Sequence, residues 1–404
     1  MRQPGEILRI AAKGDGITAD GRFVHGAAPG DLVLADGSLE RGPHHAVPVC
    51  RHFGTCGGCQ LQQLDETSLA GYVADRVANA AIGLGLDSDR IAAPHLSPPH
   101  SRRRASLRAE SSGGRIVVGF REARSHRLVD LAECPVLLPE LAALIAPIRK
   151  LLAQMSSRKG QGGRVAADID LTAVEQGVDL AIKGLAVEGL AATEAMLDFA
   201  RDQRLARLTL DQGYGPEALW EPEPVSVMLG GVSAPYPPGA FLQATADGEA
   251  ALVAAAREWL EGAGAIADLF SGLGTFAFSL AGPAKVLAVE AARDAHLACK
   301  TAAARAQLPV HALHRDLFRN PLQPDELGRF DAVLLDPPRA GAREQTAYLA
   351  ASKAGRIVYV SCNPSSWSRD AATLVAGGYR LRELRPVGQF RWSTHVELAS
   401  LFTR

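Results

Sequence analysis

The stretch AIADLFSGLGTFAFSLAGPAKVLAVE, residues 265–290, decides the fold class of this chain. An apolar strand pattern runs into a Gly-x-Gly turn at Gly272 and Gly274, and a second apolar run ends in Glu290. Glycines at a strand end let the backbone approach a ligand, and ligands of open α/β sheets lie at the carboxyl ends of the strands. Glu290 is well placed there to accept hydrogen bonds from the two hydroxyl groups of a ribose. Because a lone Gly-x-Gly is a weak signal, nucleotide binding depends on the rest of the chain.

The C-terminal part of the chain has a regular pattern of apolar runs separated by mostly helix-like segments. The runs are AIADLF, KVLAVE, VHALH, DAVLLD and RIVYVS. Near-continuous apolar strands that alternate with helices are typical of a parallel sheet covered on both faces. Residues 236–404 are therefore predicted to form a doubly wound, Rossmann-like α/β domain.

The remainder of the chain predicts two smaller units. Residues 1–45 are rich in glycine and short strand-like runs, which indicates a small β module. Residues 46–235 combine runs such as ADIDLTAV and GVDLAIKG with helical stretches such as ATEAMLDFARDQ, which predicts an α+β domain with an antiparallel sheet. The proline-rich residues 220–241 are predicted to be a linker or a hairpin.

Composition limits the class of protein. The chain has 404 residues, more than one hydrophobic core usually supports, and its net charge of −1 gives no global sign of nucleic-acid binding. No run approaches the roughly 18 apolar residues of a membrane span, and the first residues lack the apolar core of a signal peptide. The sequence therefore predicts a cytoplasmic protein without a membrane contact.

A local excess of positive charge lies in residues 102–127, called here the arginine-rich segment. It contains eight arginines and two acids. The arginines are Arg102, Arg103, Arg104, Arg108, Arg115, Arg121, Arg124 and Arg127. Such a segment is either a solvated surface or a surface for a polyanion.

Acidic residues at further strand ends strengthen the prediction of a cofactor site. Asp316 follows the third strand of the C-terminal domain, and Asp336 begins DPPRAG after the fourth. Two consecutive prolines cannot continue a central strand, so they form a rigid ledge at the edge of the sheet. Each acid alone reads as a helix cap or loop residue. Together with Glu290 they match an S-adenosylmethionine-dependent class I methyltransferase better than a dehydrogenase.

Cys362 ends the fifth strand of this domain. Asn363 suits the N-cap and Pro364 the first position of a following helix, whose amide groups are expected to lower the pKa of the thiol. The simpler alternative is a small buried apolar residue.

Four other cysteines have the spacing of a metal site. Cys50, Cys56 and Cys59 are close in sequence, and Cys134 follows far along the chain. From spacing alone, zinc and an iron–sulfur cluster are equally acceptable. The sixth cysteine, Cys299, is predicted to be a core residue of a helix.

The whole chain resembles the RNA uracil-C5 methyltransferases, and in particular the iron–sulfur branch that modifies 23S ribosomal RNA. The motifs that carry the resemblance occur in the family's order: HFGTCGGCQLQQL, VGFREARSHRLVDLAECPVL, FLQATADG, DLFSGLGTF, LLDPPRAGA, YVSCNP and THVELASLFTR. The resemblance implies that Cys362 adds to carbon 6 of uracil, since carbon 5 is a poor nucleophile until then. It implies that Glu397 is the base that removes the proton from carbon 5, although from its own context Glu397 could equally be an exposed strand residue.

Further expectations come from the same resemblance. The S-adenosylmethionine site is assigned to Gln243, Phe270, Gly272, Thr275, Glu290, Asp316 and Asp336. The four cysteines Cys50, Cys56, Cys59 and Cys134 are assigned to a [4Fe–4S] cluster of structural role, and residues 1–45 to a shortened TRAM-like, OB-like module. The expected partner is RNA rather than DNA, and 23S rRNA is favoured over tRNA. The protein is expected to be a monomer.

Rival functions differ at single positions. Amino-group methyltransferases carry an aromatic residue after Asp-Pro-Pro, where this chain has Arg339, and RNA cytosine-C5 enzymes carry a cysteine in that motif. A non-catalytic RNA-binding iron–sulfur protein would not need Cys362 or Glu397.

Overall fold

The computed structural model describes residues 5–123, 125–156 and 164–404. Arg124 of the arginine-rich segment lies outside the described residues. Within these ranges, no helix has both the length and the apolar character needed to cross a membrane.

The N-terminal module is a small sheet, as its strand-like sequence predicts. Its strands are β1 (Gly5–Ile10), β2 (Gly16–Thr18), β3 (Phe23–Val24), β4 (Leu32–Val33) and β5 (Leu39–Glu40), in the spatial order β3-β2-β1-β4-β5. Its apolar core is small, and the fully buried Asp31 adds polar contacts. The Asp31 carboxylate accepts hydrogen bonds from the Ala28 and Gly42 amides, both at 2.7 Å, and pairs with His45 at 2.7 Å.

The next part of the chain supplies four helices and ten strands to the described structure. The helices are α1 (Glu66–Ile82), α2 (Pro139–Ala143), α3 (Ile145–Ser156) and α4 (Leu190–Asp202). The strands are β6 (Arg90–Ile91), β7 (His95–Leu96), β8 (Arg104–Ser112), β9 (Arg115–Gly119), β10 (Ala166–Val174), β11 (Gly177–Lys183), β12 (Arg207–Asp211), β13 (Pro216–Trp220), β14 (Ser226–Leu229) and β15 (Val232–Pro235).

The central sheet has the order β13-β12-β11-β10-β8-β9. The expectation of an antiparallel sheet is wrong at one place, because β11 and β12 are parallel. Helix α4 joins these two strands, and a helical crossover returns the chain in the same direction. The predicted linker contains a hairpin, β14–β15, which turns at Gly230 and Gly231 with positive φ.

The C-terminal part has the predicted doubly wound architecture. Its strands are β16 (Ala265–Leu269), β17 (Lys285–Glu290), β18 (Val310–His314), β19 (Ala332–Leu335), β20 (Arg356–Ser361), β21 (Arg380–Gly388) and β22 (Glu397–Thr403). Its helices are α5 (Ala246–Trp259), α6 (Thr275–Leu280), α7 (Arg293–Arg305), α8 (Pro324–Leu327), α9 (Arg343–Ala351) and α10 (Pro364–Ala376).

The sheet runs β18-β17-β16-β19-β20-β22-β21-β6, and its first five strands are parallel. Alternate residues of each strand enter two different apolar cores: Ile357 and Tyr359 pack on one face, and Val358 and Val360 on the other. Both faces are therefore buried, which explains the continuous apolar runs. The strand order reverses at β16, so a crevice opens at its carboxyl end.

Residues 66–96 fall in the range predicted for the central domain, yet they pack on the C-terminal sheet. Helix α1 shares the apolar core that includes Leu381 and Leu384 of β21, and β6 extends the sheet by parallel pairing with the same strand. The amphipathic pattern of α1 predicts a buried face without saying which core covers it. The domain limits at residues 45 and 235 stay predictions.

Candidate active site

The carboxyl ends of the parallel strands surround a cavity of about 480 Å³. Its lining includes eight of the residues assigned from the sequence to catalysis or to the methyl donor. They are Gln243, Phe270, Gly272, Thr275, Glu290, Asp336, Cys362 and Glu397. Residues separated by more than 150 positions in sequence thus meet in one site.

The turn after β16 holds its shape with left-handed backbone. Phe270, Gly272 and Gly274 have φ of 63°, 54° and 101°. At Gly274 a side chain is excluded, because a Cβ atom would lie 2.7 Å from the ring of Phe278. Such strained backbone is typical of a ligand site, where amide groups must lie close to the ligand.

Glu290 is fixed by this turn. Its carboxylate accepts hydrogen bonds from the Gly272 amide at 2.9 Å and from the Ala292 amide at 2.6 Å. A carboxylate has more acceptor positions than these two bonds use. Glu290 therefore keeps acceptor capacity at the cavity wall, where the sequence predicts a ribose.

Asp316 is placed differently from the other predicted residues. It does not line the cavity, although Arg315, Leu317 and Phe318 do. Its Oδ1 accepts from the amide groups of Phe318 at 2.9 Å and Arg319 at 3.3 Å. The structure therefore gives Asp316 a turn-capping role, and its contact with a cofactor stays a prediction.

Asp336 lies at the end of β19, where the Asp-Pro-Pro sequence forms the expected ledge in the cavity wall. Its Oδ2 accepts a hydrogen bond from Gln243 Nε2 at 3.1 Å. Burial raises the pKa of Asp336 to about 7, and the bond from Gln243 opposes that rise. The carboxyl group is thus poised between its protonated and ionised forms near neutral pH.

Cys362 lies between the end of β20 and the start of α10, half-buried in the cavity wall. Asn363 is the N-cap as predicted: its Oδ1 accepts from the Ser365 amide at 3.2 Å, and its Nδ2 donates to the Arg339 carbonyl at 3.0 Å. Asn363 therefore ties the cysteine loop to the Asp-Pro-Pro ledge.

The expectation of a lowered thiol pKa is wrong for this ligand-free structure. Burial raises the pKa of Cys362 to about 11, and the negative charges of Glu397 and Asp336 raise it further. A backbone hydrogen bond and Arg339 oppose this increase without overcoming it. The protonated thiol is therefore favoured in this cavity at neutral pH.

Glu397 is the first residue of β22 and is 3% exposed. Burial, followed by the charge of Asp336, raises its pKa to about 8, whereas a hydrogen bond from Gln389 and the charge of Arg104 lower it. The alternative of an exposed strand residue is therefore wrong. A carboxyl group with a pKa near neutrality is suited to accept a proton.

Two residues of this region, Phe241 and Asp268, had no role assigned from the sequence. Phe241 lines the cavity while 57% exposed, and the guanidinium group of Arg104 lies 4.4 Å from the centre of its ring. Asp268 is fully buried beneath the site, and burial and the charge of Asp336 raise its pKa well above the usual value. Phe241 lies in the motif FLQATADG and Asp268 in DLFSGLGTF, so their positions beside residues assigned to the methyl donor were the available signal.

The four predicted ligand cysteines line a second, smaller cavity of about 50 Å³. Cys50, Cys56 and Cys59 come from the loop before α1, and Cys134 comes from the loop before α2. Burial raises the pKa of Cys59 to about 12. Within the described ranges, no group of three or more His, Cys, Asp or Glu side chains is arranged to hold a single metal ion.

The arginine-rich segment has two kinds of environment. Arg115, Arg121 and Arg127 are exposed, whereas the run Arg102–Arg104 is half-buried and turned inward. Arg102 lines the cysteine cavity, and its neighbour Arg103 donates to the Gln243 carbonyl at 2.9 Å and pairs with Glu249. The first part of the segment is therefore a link between the two cavities rather than a solvated surface.

Comparisons with known proteins agree with this geometry. A family model described as tRNA (uracil-5-)-methyltransferase matches residues 235–404. An uncharacterized RNA methyltransferase of Zymomonas mobilis is 49% identical over 99% of both chains. A 23S rRNA (uracil(1939)-C(5))-methyltransferase of Shewanella denitrificans is 30% identical over 90% of this chain and 84% of its own length.

A solved structure has the same fold over its whole length. The Pyrococcus abyssi tRNA (uracil-54, C5)-methyltransferase, crystallised with S-adenosyl-L-homocysteine, superposes with a TM-score of 0.76 at 23% identity and covers 99% of both chains. The class I methyltransferase architecture of the C-terminal part is thereby confirmed.

Proposed function

Since the chain belongs to the RNA uracil-C5 methyltransferase family, we propose that it transfers a methyl group from S-adenosylmethionine to carbon 5 of a uridine in RNA. The observation that carries this proposal is the meeting of Cys362, Glu397 and Asp336 at one cavity, beside the glycine turn and Glu290. A nucleophile, a base and a nucleotide-binding edge are then within one site.

The residues of the cavity fit a cationic methyl donor. Asp336 is half-buried and Glu397 is buried, and both carboxyl groups have raised pKa values. The charge of Asp336 opposes the ionisation of Glu397, so a positive charge near them is favourable. Glu290, Phe270, Gly272, Thr275 and Gln243 would hold the nucleoside and amino-acid parts. When bound, S-adenosylmethionine supplies an electrophilic methyl group on a sulfonium ion.

Cys362 performs the first covalent step in this proposal. Its sulfur forms a bond to carbon 6 of uracil, and the electron pair of the 5,6 double bond moves to the carbonyl oxygen as an enolate. Carbon 5 of the enolate would then attack the methyl group, and the bond between that methyl group and the donor's sulfur would break to leave a neutral thioether. A positive charge in the cavity opposes the effect of Glu397 and Asp336 on the thiol, which favours the thiolate.

Glu397 completes the reaction. Its carboxylate removes the proton of carbon 5, the double bond re-forms, and the bond between sulfur and carbon 6 breaks to regenerate Cys362. The target base has to leave its stack to reach these groups. Phe241, exposed at the cavity wall beside Arg104, offers an aromatic face for the turned-out base.

A tritiated methyl-transfer assay on unmodified ribosomal RNA tests the proposal, and the variant Cys362→Ala is the control. The wild-type protein is expected to label RNA, whereas Cys362→Ala is expected to give neither label nor a denaturation-resistant protein–RNA adduct. Label transferred by Cys362→Ala would contradict the covalent mechanism, and no label with either protein would favour the non-catalytic alternative.

We place the target uridine in 23S rRNA. Two observations support this proposal: the similarity to a relative that modifies 23S rRNA, and the four cysteines that resemble those of the iron–sulfur branch. Mapping 5-methyluridine in the RNA of host cells with and without the gene tests this, and loss of the nucleoside from tRNA alone would contradict it. The cytoplasmic location and the monomeric state stay predictions.

We further propose that the cysteine cavity holds a [4Fe–4S] cluster. Four thiols from two distant loops surround a space, as a group of several atoms requires, and four cysteine ligands are the usual set for this cluster. In the proposed structural role, the cluster fixes the loop at residues 50–59 beside Cys134 and so orients Arg102.

Anaerobic purification followed by iron, sulfide and zinc analysis tests the ligand set. Iron and sulfide in equal amounts are expected in the wild-type protein, with loss of both in Cys59→Ser and retention of both in Cys299→Ser. Stoichiometric zinc would contradict the cluster. Removal of the cluster without loss of fold or RNA affinity would contradict its structural role.

A further inference from the structure

Gln389 follows strand β21 and is 1% exposed. Its Oε1 accepts hydrogen bonds from the backbone amides of Ala244 at 3.0 Å and Thr245 at 3.4 Å, and its Nε2 donates to Gln243 Oε1 at 2.8 Å. Gln243 then donates from Nε2 to Asp336 at 3.1 Å. Three separate segments thus form one chain of hydrogen bonds that ends on a carboxyl group of the cavity.

The direction of this chain is fixed by the backbone. A backbone N–H group can only donate, so the amides of Ala244 and Thr245 require the oxygen of the Gln389 side chain on their side. The nitrogen of Gln389 must then face Gln243, which must turn its own oxygen to Gln389 and its nitrogen to Asp336. Flipping either side-chain amide would bring two donors or two acceptors together.

Gln389 also acts on the proposed base. The Nε2 group has two hydrogens, and the bond to Gln243 uses one of them. Donation from Gln389 also lowers the pKa of Glu397 against the effect of burial. Strand β21 pairs with β22 so that Val387, two residues before Gln389, lies opposite Glu397. The Gln389 side chain is therefore bonded to Gln243 and placed beside the proposed base.

The charges around Glu397 leave few other sources of stabilisation. Asp336 after β19 opposes its ionisation, and Cys362 after β20 becomes a further negative charge when it ionises. Asp268 of β16 is a fully buried carboxyl group whose ionisation Asp336 opposes, so it supplies no compensating charge. Arg104 of β8 is the cation that lowers the pKa of Glu397. A fixed neutral donor is therefore important for keeping Glu397 in its basic form.

We infer that Gln389 is a positioning residue that sets the orientation of Gln243 and holds Glu397 ready to take the carbon-5 proton. The inference rests on the proposed function and goes beyond it, since Gln389 lies outside the sequence motifs that carry the resemblance to the family. Loss of its side-chain donor is expected to slow proton removal more than adduct formation, because the Gln389 amide bonds to Gln243 and lies beside the proposed base.

Gln389→Met tests the inference, since methionine is unbranched, of similar length and tolerated in cores. The matched control is Gln345→Met in α9. Gln345 is also 1% exposed, and its side chain bonds to the amide and carbonyl groups of Leu322 at 2.9 and 3.2 Å, outside the cavity lining. Both variants lose the side-chain hydrogen bonds of a buried glutamine, but only Gln389→Met interrupts the proposed hydrogen-bond chain.

The measurement is single-turnover release of methylated RNA from the covalent adduct between pH 6 and pH 9.5. Gln389→Met is expected to release product roughly 10- to 100-fold more slowly at pH 7, to accumulate the adduct, and to shift the pH midpoint upward by about one to two units, as loss of a hydrogen bond to a charged group predicts. Gln345→Met is expected to keep the wild-type midpoint.

An unchanged midpoint and release rate in Gln389→Met would overturn the inference while leaving the proposed function intact. Absence of any adduct or methyl transfer in the wild-type protein would instead contradict the proposed function. If Gln389→Met does not fold, Gln389→Asn replaces it, because the shorter polar side chain cannot span from the Ala244 amide to Gln243 and the same shift is expected.

Discussion

Cys362 shares its cavity with the half-buried Asp336 and the buried Glu397, and the charges of these carboxyl groups oppose the ionisation that a nucleophilic thiol needs. At neutral pH a thiol with a pKa of about 11 is almost entirely protonated. A positive charge in the cavity, which the proposed cationic methyl donor would supply, opposes this effect and favours the thiolate. Glu397 therefore has two effects: it raises the pKa of the Cys362 thiol, and it is the proposed base.

Replacing Glu397 with glutamine separates the two halves of the proposed reaction. A side-chain amide cannot accept the carbon-5 proton, so Glu397→Gln is expected to form the methylated adduct and to release it at least about 100-fold more slowly. Denaturing gel electrophoresis of the protein with labelled RNA measures the adduct. Glu383→Gln, on neighbouring strand β21, is the control, and rapid turnover by Glu397→Gln would assign the base elsewhere.

Asp336 gives the ligand-free protein a pH-dependent stability. Its folded pKa of about 7 lies above the usual value of 3.8, so its contribution to stability is full at low pH and is lost as pH rises through about 7. Asp336→Asn does not show this fall in unfolding free energy, because asparagine does not ionise. The variant is expected to gain roughly 1–3 kcal/mol in unfolding free energy relative to wild type between pH 5 and pH 8.

Urea unfolding without ligands, at both pH values, measures this difference. Asp331 supplies a control of opposite sign, because backbone hydrogen bonds from Ala265 and Gly264 lower its pKa. Asp331→Asn is therefore expected to lose stability relative to wild type as pH rises through the acid range. A pH-independent difference for Asp336→Asn would show that the folded carboxyl group is not held near neutrality.

At the scale of elements, helix α10 positions the nucleophile through its first turn. Pro364 begins the helix, and the Asn363 side chain joins the cap to the Arg339 carbonyl of the Asp-Pro-Pro ledge. Ser366 Oγ donates to the same carbonyl at 3.0 Å. The orientation of Cys362 therefore depends on contacts between two loops that follow neighbouring strands.

Asn363→Ala is expected to destabilise the protein by about 1 kcal/mol, the usual effect of losing an N-cap, and also to slow adduct formation because the ledge contact is lost. Urea unfolding and single-turnover labelling measure the two effects. Asp65→Ala removes the cap of α1, whose Asp65 accepts from the Ser68 amide at 2.7 Å. Asp65→Ala is expected to lower the unfolding free energy by a similar amount and to leave the rate of adduct formation unchanged. Equal losses of this rate in both variants would refute a local role for Asn363.

At the scale of the whole molecule, a buried ion pair within the central sheet also contacts the segment that leads into the C-terminal part. Arg207 of β12 binds both carboxylate oxygens of Asp179 at 2.8 and 3.0 Å, and it donates to the Tyr236 carbonyl at 2.9 Å. Both side chains are at most 5% exposed. The pair thus fixes the segment that enters the methyltransferase domain.

Asp179→Ala is expected to lower the unfolding free energy by about 3–5 kcal/mol, because it leaves the Arg207 charge buried without its partner. Urea unfolding measures the loss, and the double variant Asp179→Leu with Arg207→Met is expected to recover part of it. Asp89→Ala, which breaks an exposed pair with Arg380 and Arg382, is the control and is expected to lower the unfolding free energy far less.

Local patterns in the sequence were sufficient for the elements that build the site. The five parallel strands, the glycine turn, the N-cap at Asn363 and the strand-end positions of Cys362 and Asp336 follow from apolar runs and from the conformational limits of glycine and proline. These features depend on neighbouring residues, so a single sequence carries them.

Only the tertiary structure decided the charges and the long-range partners. The pKa values of Cys362 and Glu397 depend on burial and on Asp336, and these residues come together only when β19, β20 and β22 form one sheet edge. The packing of α1 on the C-terminal sheet and the orientation of Gln389 are likewise set by contacts across hundreds of positions. The sequence by itself determined which groups carry the chemistry, whereas the fold decided their protonation, because electrostatic free energies depend on distance and desolvation in space.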